Sequence, residues 1–276
     1  LGLININLTV DTVFATLVSD QAPRAIDAAF RLYLLPQGVF SVAISTVLFP
    51  TISRLAARND LLGLRQTIAS GTRQIFFMLL PASAFLLVLA EPVVRLVFQR
   101  GEFGPASTTL TSGALFYFAI GLAFNGASLL VIRAFFSMQV PWTPTKVAAL
   151  GVVLNLALDA VLYKPMGTNG IPLATSIASV VTFAVLVWLL DRELGGLHGA
   201  WILDGVARSV LASGVSVLLA WASWTVLSDA LPDGLIGQVL SVGAAIAAAG
   251  YARAAAAMAM EMPELRTLTR LRRPLQ

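Results

Sequence analysis

The chain has 276 residues, 58% of them hydrophobic and only 12% charged, with 18 Lys and Arg against 14 Asp and Glu. A soluble domain carries about 25% charged residues, so the composition excludes a water-facing globular protein. There is no cysteine, which removes disulfides, thiolate metal sites and cysteine nucleophiles.

Apolar residues come in blocks of roughly 18–28, long enough to cross a bilayer as helices. A membrane β-barrel would instead alternate polar and apolar side chains along each strand. The expected fold is therefore all-α, a polytopic helical membrane protein with about eight transmembrane helices. In chain order the spans fall at about 2–19, 25–53, 73–98, 108–135, 145–163, 171–190, 205–228 and 234–258. The breaks between them carry Pro, Gly, Asn and Asp, as turns require.

The first span opens without Met or a basic leader, so the chain is expected to start within a helix and to be part of a longer protein. It carries Asp11, with Asn5 and Asn7. The second span holds Arg31 in a run from Ala28 to Ser53 that no other charge interrupts. An arginine at bilayer depth costs roughly 2.5–3.5 kcal/mol on insertion scales. Asp27 precedes Arg31 by four residues, which places both on one helical face in the favourable acid-before-base order. Two readings fit that spacing: a guanidinium over a polar cavity with Asp27 beside it, or an interfacial arginine that snorkels. Pro36 and Gly38 permit a kink further on.

Between the second and third spans, residues 56–72 mix Leu61, Leu62, Leu64 and Ile68 with Arg58 and Arg65. This segment reads either as an amphipathic helix on the membrane surface or as a solvated linker. The fifth span carries Asn155 and Asp159, again four apart, and the sixth carries Thr175 and Ser176. Two carboxylates, an amide and a hydroxyl can thus meet between helices. Buried acids must be protonated, paired or neutralised by a cation. An all-oxygen set without Cys or His suits a hard cation, Na⁺ or H⁺, rather than zinc or copper. Protonated, hydrogen-bonded carboxyls are the plainer alternative.

His198, the only histidine, lies in a Gly-rich loop and reads as a surface residue. Ser41, Ser45, Ser112 and Ser176 occur at spacings typical of close helix contacts. None has a His base, so no hydrolytic machinery is visible and an enzyme is the least expected class. No nucleic-acid module is present.

The Lys/Arg distribution sets the expected topology. With the start of the first span in the cytoplasm, 13 basic residues fall inside, including Arg54, Arg58, Arg133, Lys146, Arg192 and the tail from Arg266 to Arg273. Only Arg24, Arg95, Arg100 and Lys164 fall outside. The basic tail is expected on the cytoplasmic surface, against anionic headgroups.

Four strings carry a family resemblance: IDAAFRLYLLPQGVFSVAISTVLFPTISRLAAR, LAEPVVRLVFQRGEF, RAFFSMQVPWTPTKVAALGVVLNLALD and GTNGIPLATSIAS. Together they resemble the lipid II flippase family (MurJ, formerly MviN) of the multidrug/oligosaccharidyl-lipid/polysaccharide exporter superfamily. Members have fourteen helices: two six-helix lobes around a central cavity and two extra helices. The resemblance implies that residues 1–190 form the second lobe and 191–203 a cytoplasmic linker. It makes 204–260 a two-helix lipid-groove extension and 261–276 a basic cytoplasmic tail.

It further implies a bacterial inner-membrane flippase for the undecaprenyl-pyrophosphate-linked peptidoglycan precursor, working with membrane lipid and with a first lobe from the same polypeptide. Arg31 matches a cavity arginine of the family and would hold the pyrophosphate. Where the family usually has Asp, this chain has Phe30, and where some members carry Glu it has Leu34, so Asp27 is the expected partner of Arg31. Some members bind sodium, and those ligands match Asp11, Asn155, Asp159, Thr175 and the backbone carbonyl of Ile171. No other cofactor is implied. The rival readings are a flippase for another polyprenyl-linked glycan, a multidrug-type cation antiporter, and a non-transporting paralogue.

Overall fold

A computed structural model describes residues 2–232 and 234–260, with side chains from residue 9 onward. The basic tail lies outside the described residues, as do the side chains of Asn5 and Asn7. Every regular element among the described residues is helical: α1 (Gly2–Val18), α2 (Ala22–Pro36), α3 (Ala43–Ala57), α4 (Leu61–Val88), α5 (Ala90–Phe98), α6 (Pro105–Ser137), α7 (Trp142–Met166), α8 (Gly170–Leu194), α9 (Gly199–Ala230) and α10 (Leu235–Ala259). Six stretches are long and apolar enough to cross a membrane, and one of them, 142–194, holds both α7 and α8. With α1 these account for the eight expected spans, in a multi-pass helical fold.

Two boundaries differ from the sequence reading. Residues 61–72 are neither a separate surface helix nor a linker: they are the first three turns of α4. Asp60 caps that helix by accepting from the Gly63 N–H at 2.9 Å, and Leu64 and Ile68, four apart, are buried against the core. The expected third span is also broken at Leu89, beyond which α5 begins.

The second span is continuous from Ala22 to Ala57 but has a π-helical segment, Gln37–Val42, directly after Pro36. Proline has no N–H and disturbs the α ladder of the preceding turn, and a wide turn is one way to absorb this. At the centre of the bundle α6 crosses α8 closely. The Gly121 N–H donates to Ser176 Oγ at 3.0 Å, and a Cβ at Gly121 would stand 2.7 Å from the Ser176 Cα. Gly121→Val is therefore expected to push α6 off α8 at a cost of about 1–3 kcal/mol, measured as a lower melting temperature in detergent.

The pair α9/α10 packs on α4 through two buried arginines. Arg73 lies over the Trp201 ring at 4.0 Å and donates to the Trp201 carbonyl at 3.1 Å. Arg253 donates to the Phe77 carbonyl at 3.0 Å and to the Ser209 carbonyl at 3.1 Å. The Phe77 carbonyl is available because its helical partner would be residue 81, a proline. A guanidinium thus satisfies a carbonyl that would otherwise stay bare inside the membrane. Arg253→Met is expected to destabilise the chain by about 1–3 kcal/mol. In the Pro81→Ala background, which supplies the missing N–H, the loss should be smaller. A double-mutant cycle of thermal melts measures the difference.

Candidate functional site

The acid cluster forms where α1, α7 and α8 meet. The turn at Gly167 folds α8 back along α7, and Asp11 of α1 meets Asn155, Asp159 and Thr175 there. Asn155 Nδ2 donates to Asp11 Oδ1 at 2.6 Å and to Asp159 Oδ2 at 3.1 Å. Thr175 Oγ1 lies 3.4 Å from Asp11 Oδ2 and 3.3 Å from the Ile171 carbonyl, and its single proton can serve only one of them. All five residues in the expected set are thus brought together.

The cluster is deeply enclosed: Asp11 is 6%, Asn155 1% and Asp159 0% exposed. Yet Asn155 Oδ1 and Asp159 Oδ1 are buried without any hydrogen-bond partner. Each such orphan costs about 1–3 kcal/mol. A small cation fits this donor chemistry, since it would take up unpaired oxygens in a set made only of carboxylate, amide, hydroxyl and carbonyl oxygens. Among the described residues no Lys, Arg or His is hydrogen-bonded to these acids. Ser176, next to Thr175, is not part of the cluster; it joins α8 to the Tyr117 carbonyl of α6 at 2.6 Å.

Arg31 stands apart from this site, two turns below the start of α2. Its Nε donates to Asp27 Oδ2 at 2.9 Å, as the four-residue spacing predicts. Both side chains are largely exposed, at 71% and 61%, so this guanidinium is presented at a free face of the helix bundle. Leu34, one turn further on, is exposed as well. Phe30 faces the other way, inward, against Tyr33 and Phe118. His198 sits in the loop at the head of α9 with φ of 55°, in line with its reading as a loop residue.

Sequence reasoning missed the polar link between Tyr33 and Asn125. Asn125 Nδ2 donates to Tyr33 Oη at 2.7 Å, tying α2 to α6. The signal was present, since both are hydrogen-bonding groups inside apolar spans. It also missed a cavity of about 240 Å³ beside the acid cluster, reached by Asn125, Ser128, Thr175, Ser179 and Thr182. Nothing in a linear pattern marks that space.

Three kinds of likeness bear on this arrangement. The family model for lipid II flippase MurJ matches residues 1–232. A probable lipid II flippase MurJ of Rhizobium meliloti (strain 1021) is 30% identical over 262 residues, covering 90% of this chain and 46% of the relative. The lipid II flippase MurJ of Thermosipho africanus (strain TCF52B) is 30% identical over 160 residues, covering 58% of this chain and 33% of the relative. The chain thus spans less than half the length of the curated relatives it matches. Among solved structures, a lipid II flippase MurJ in an inward closed conformation superposes with a TM-score of 0.73 at 21% identity, covering 94% of this chain and 52% of that one. A MOP superfamily transporter from Pyrococcus furiosus gives 0.60 at 15% identity, covering 91% of this chain and 62% of that one. At these identities the structural matches show a shared fold.

Proposed function

The chain belongs to the lipid II flippase MurJ family, and from that premise we propose that it forms the second lobe and C-terminal helix pair of a transporter that flips lipid II in peptidoglycan synthesis. The first lobe would come from the same polypeptide. The protein would lie in the bacterial inner membrane with its C-terminus in the cytoplasm, the orientation favoured by the basic residues. Members of this family move a lipid; no catalytic chemistry is required.

One observation carries the reading: Arg31, in the run from Ala28 to Ser53 that no other charge interrupts, is displayed on an open face of α2. A guanidinium held only by an exposed carboxylate adds little as packing, and at bilayer depth it is costly to keep. Its planar fork of donors matches pyrophosphate oxygens two at a time. Asp27 holds the fork in place, and as an exposed pair it is worth little in itself, so a phosphate can displace it. The headgroup would pass along this face between the lobes while the polyprenyl tail stays in lipid, in an alternating-access cycle.

The acid cluster is proposed to take the coupling ion, Na⁺ or H⁺. Asp11, Asp159, Asn155 and Thr175, with the Ile171 carbonyl, would hold it. A bound Na⁺ would supply positive charge between the two carboxylates, whereas a bound proton would neutralise one of them. The chain's own part is to bring α1 onto α7 and α8 through these side chains, so that ion occupancy and the position of α1 are linked.

Expression of the full-length reading frame in cells depleted of their own lipid II flippase tests the proposal. Growth should be restored. Failure at normal membrane expression would shift weight to another polyprenyl-linked glycan as cargo.

A further inference from the structure

We propose that Phe30 is a septum between two half-channels that reach Asp11 from opposite ends of the bundle and together form the route of a hard monovalent cation. The proposal rests on the reading that the acid cluster takes such an ion.

Two separate cavities touch Asp11. One, of about 240 Å³, is also lined by Asn125, Ser128, Ser179 and Thr182. The other, of about 160 Å³, is also lined by Pro23, Ile26, Asp27 and Phe118. Besides Asp11, Phe30 is the one residue that lines both.

The helix directions place these cavities on opposite sides of the acid. A short turn, Gly167–Asn169, joins α7 to α8, and Val18 at the end of α1 lies beside that turn. Residues earlier in α7, or later in α6 and α8, therefore lie toward the other end, which Arg133, Lys146 and Arg192 flank. The larger cavity uses positions 125–132 of α6, 148–155 of α7 and 175–182 of α8, so it runs from the cluster toward the basic end. The smaller uses positions 11–15 of α1 and 23–30 of α2, so it runs toward the α1–α2 turn.

The linings suit a small cation. The larger cavity offers hydroxyl and amide oxygens at successive turns of α6 and α8 and is lined by no Arg or Lys. The smaller ends at the Asp27 carboxylate, which Arg31 pairs with at 2.9 Å, so the guanidinium stands at its mouth and must release that carboxylate to cargo before a cation can use it. At the junction the Phe30 ring stacks on Tyr33 at 5.5 Å and leans on Phe118 at 5.6 Å, and Tyr33 is pinned by Asn125. An apolar ring offers no ligand to a hydrated ion and blocks the passage while it holds this position. Phe30 is also the neighbour of Arg31 on α2. A movement of α2 that follows cargo at Arg31 must carry the septum with it, which links the two sites mechanically.

The test uses the full-length protein with any cysteine outside this chain replaced, since the chain itself has none. Single cysteines are placed at Ala178, in the larger cavity, and at Ile26, in the smaller. Native membrane vesicles of each orientation receive Ag⁺, a thiol-seeking monovalent cation close to Na⁺ in size. Thiols left free are counted with a fluorescent maleimide after denaturation. The cysteine at 178 should be protected only when Ag⁺ is added at the basic end, and that at 26 only from the opposite end. Phe30→Ala, or Phe30→Leu if the alanine variant does not fold, should make each reactive from both sides, at least tenfold faster from the formerly silent one. Protection of both cysteines from one common side, or sidedness unchanged in a folded Phe30 variant, would overturn the septum. The cation reading is checked separately, by whether Na⁺ raises the melting temperature of the unsubstituted chain.

Discussion

Arg31→Ala, introduced into the full-length protein, is expected to abolish rescue of flippase-depleted cells at unchanged membrane expression. Losing hydrogen bonds to a charged group costs about 1.5–3 kcal/mol, which is roughly tenfold or more in apparent affinity for the pyrophosphate. Folding should be unaffected, because Arg31 is exposed and bonded only to Asp27. Removing it releases an exposed salt bridge worth no more than about 1 kcal/mol. Arg31→Lys keeps the charge but loses the fork, so partial rescue is expected. Asp27→Asn should retain rescue. Full rescue by Arg31→Ala would demote the residue to an interfacial anchor.

Asp159→Asn is expected to remove the response of the purified chain to sodium. With the native cluster, Na⁺ at about one hundred times its dissociation constant adds roughly 2.7 kcal/mol of stability, seen as a melting temperature several degrees above that in an equal concentration of K⁺. Asp159 is fully buried, with one oxygen unpartnered, so its carboxylate has the strongest need for the ion. The amide in its place is neutral and can hydrogen-bond to Asn155 directly. The variant should therefore melt no lower than the native chain without Na⁺, and Na⁺ should no longer shift it. Asp11→Asn is expected to behave alike. An undiminished Na⁺ shift in Asp159→Asn would refute the cluster as the ion site and leave the plainer reading, two protonated and hydrogen-bonded carboxyls.

Much of this was legible in the chain. Span positions follow from hydropathy, because in lipid each helix must satisfy its own backbone. The Asp27–Arg31 pair and the Asn155–Asp159 face follow from the four-residue period. That Asp11 and Thr175 could join that face followed only as a possibility from polar groups inside apolar spans; family resemblance made it an expectation, since residues 144 and 164 positions apart leave no mark in local periodicity. The early start of α4 was readable in principle from Asp60 as an N-cap. It was obscured by Arg58 and Arg65, whose charges look like a membrane boundary. The π segment was not legible: Pro36 announces a disturbance without saying how the ladder absorbs it. The two cavities at Asp11 were hidden for a deeper reason. Their walls come from several helices each, and the volume left between side chains depends on how all of them pack.

The most direct measurement is leaflet-resolved: the fraction of lipid II on the outer face of spheroplasts, read with a membrane-impermeant enzyme that cleaves the pyrophosphate-linked headgroup. In flippase-depleted cells, the full-length protein should restore that fraction to the level of undepleted cells, and Arg31→Ala should leave it at the depleted level. An outer fraction that stays depleted despite normal membrane expression of the native protein would contradict the account.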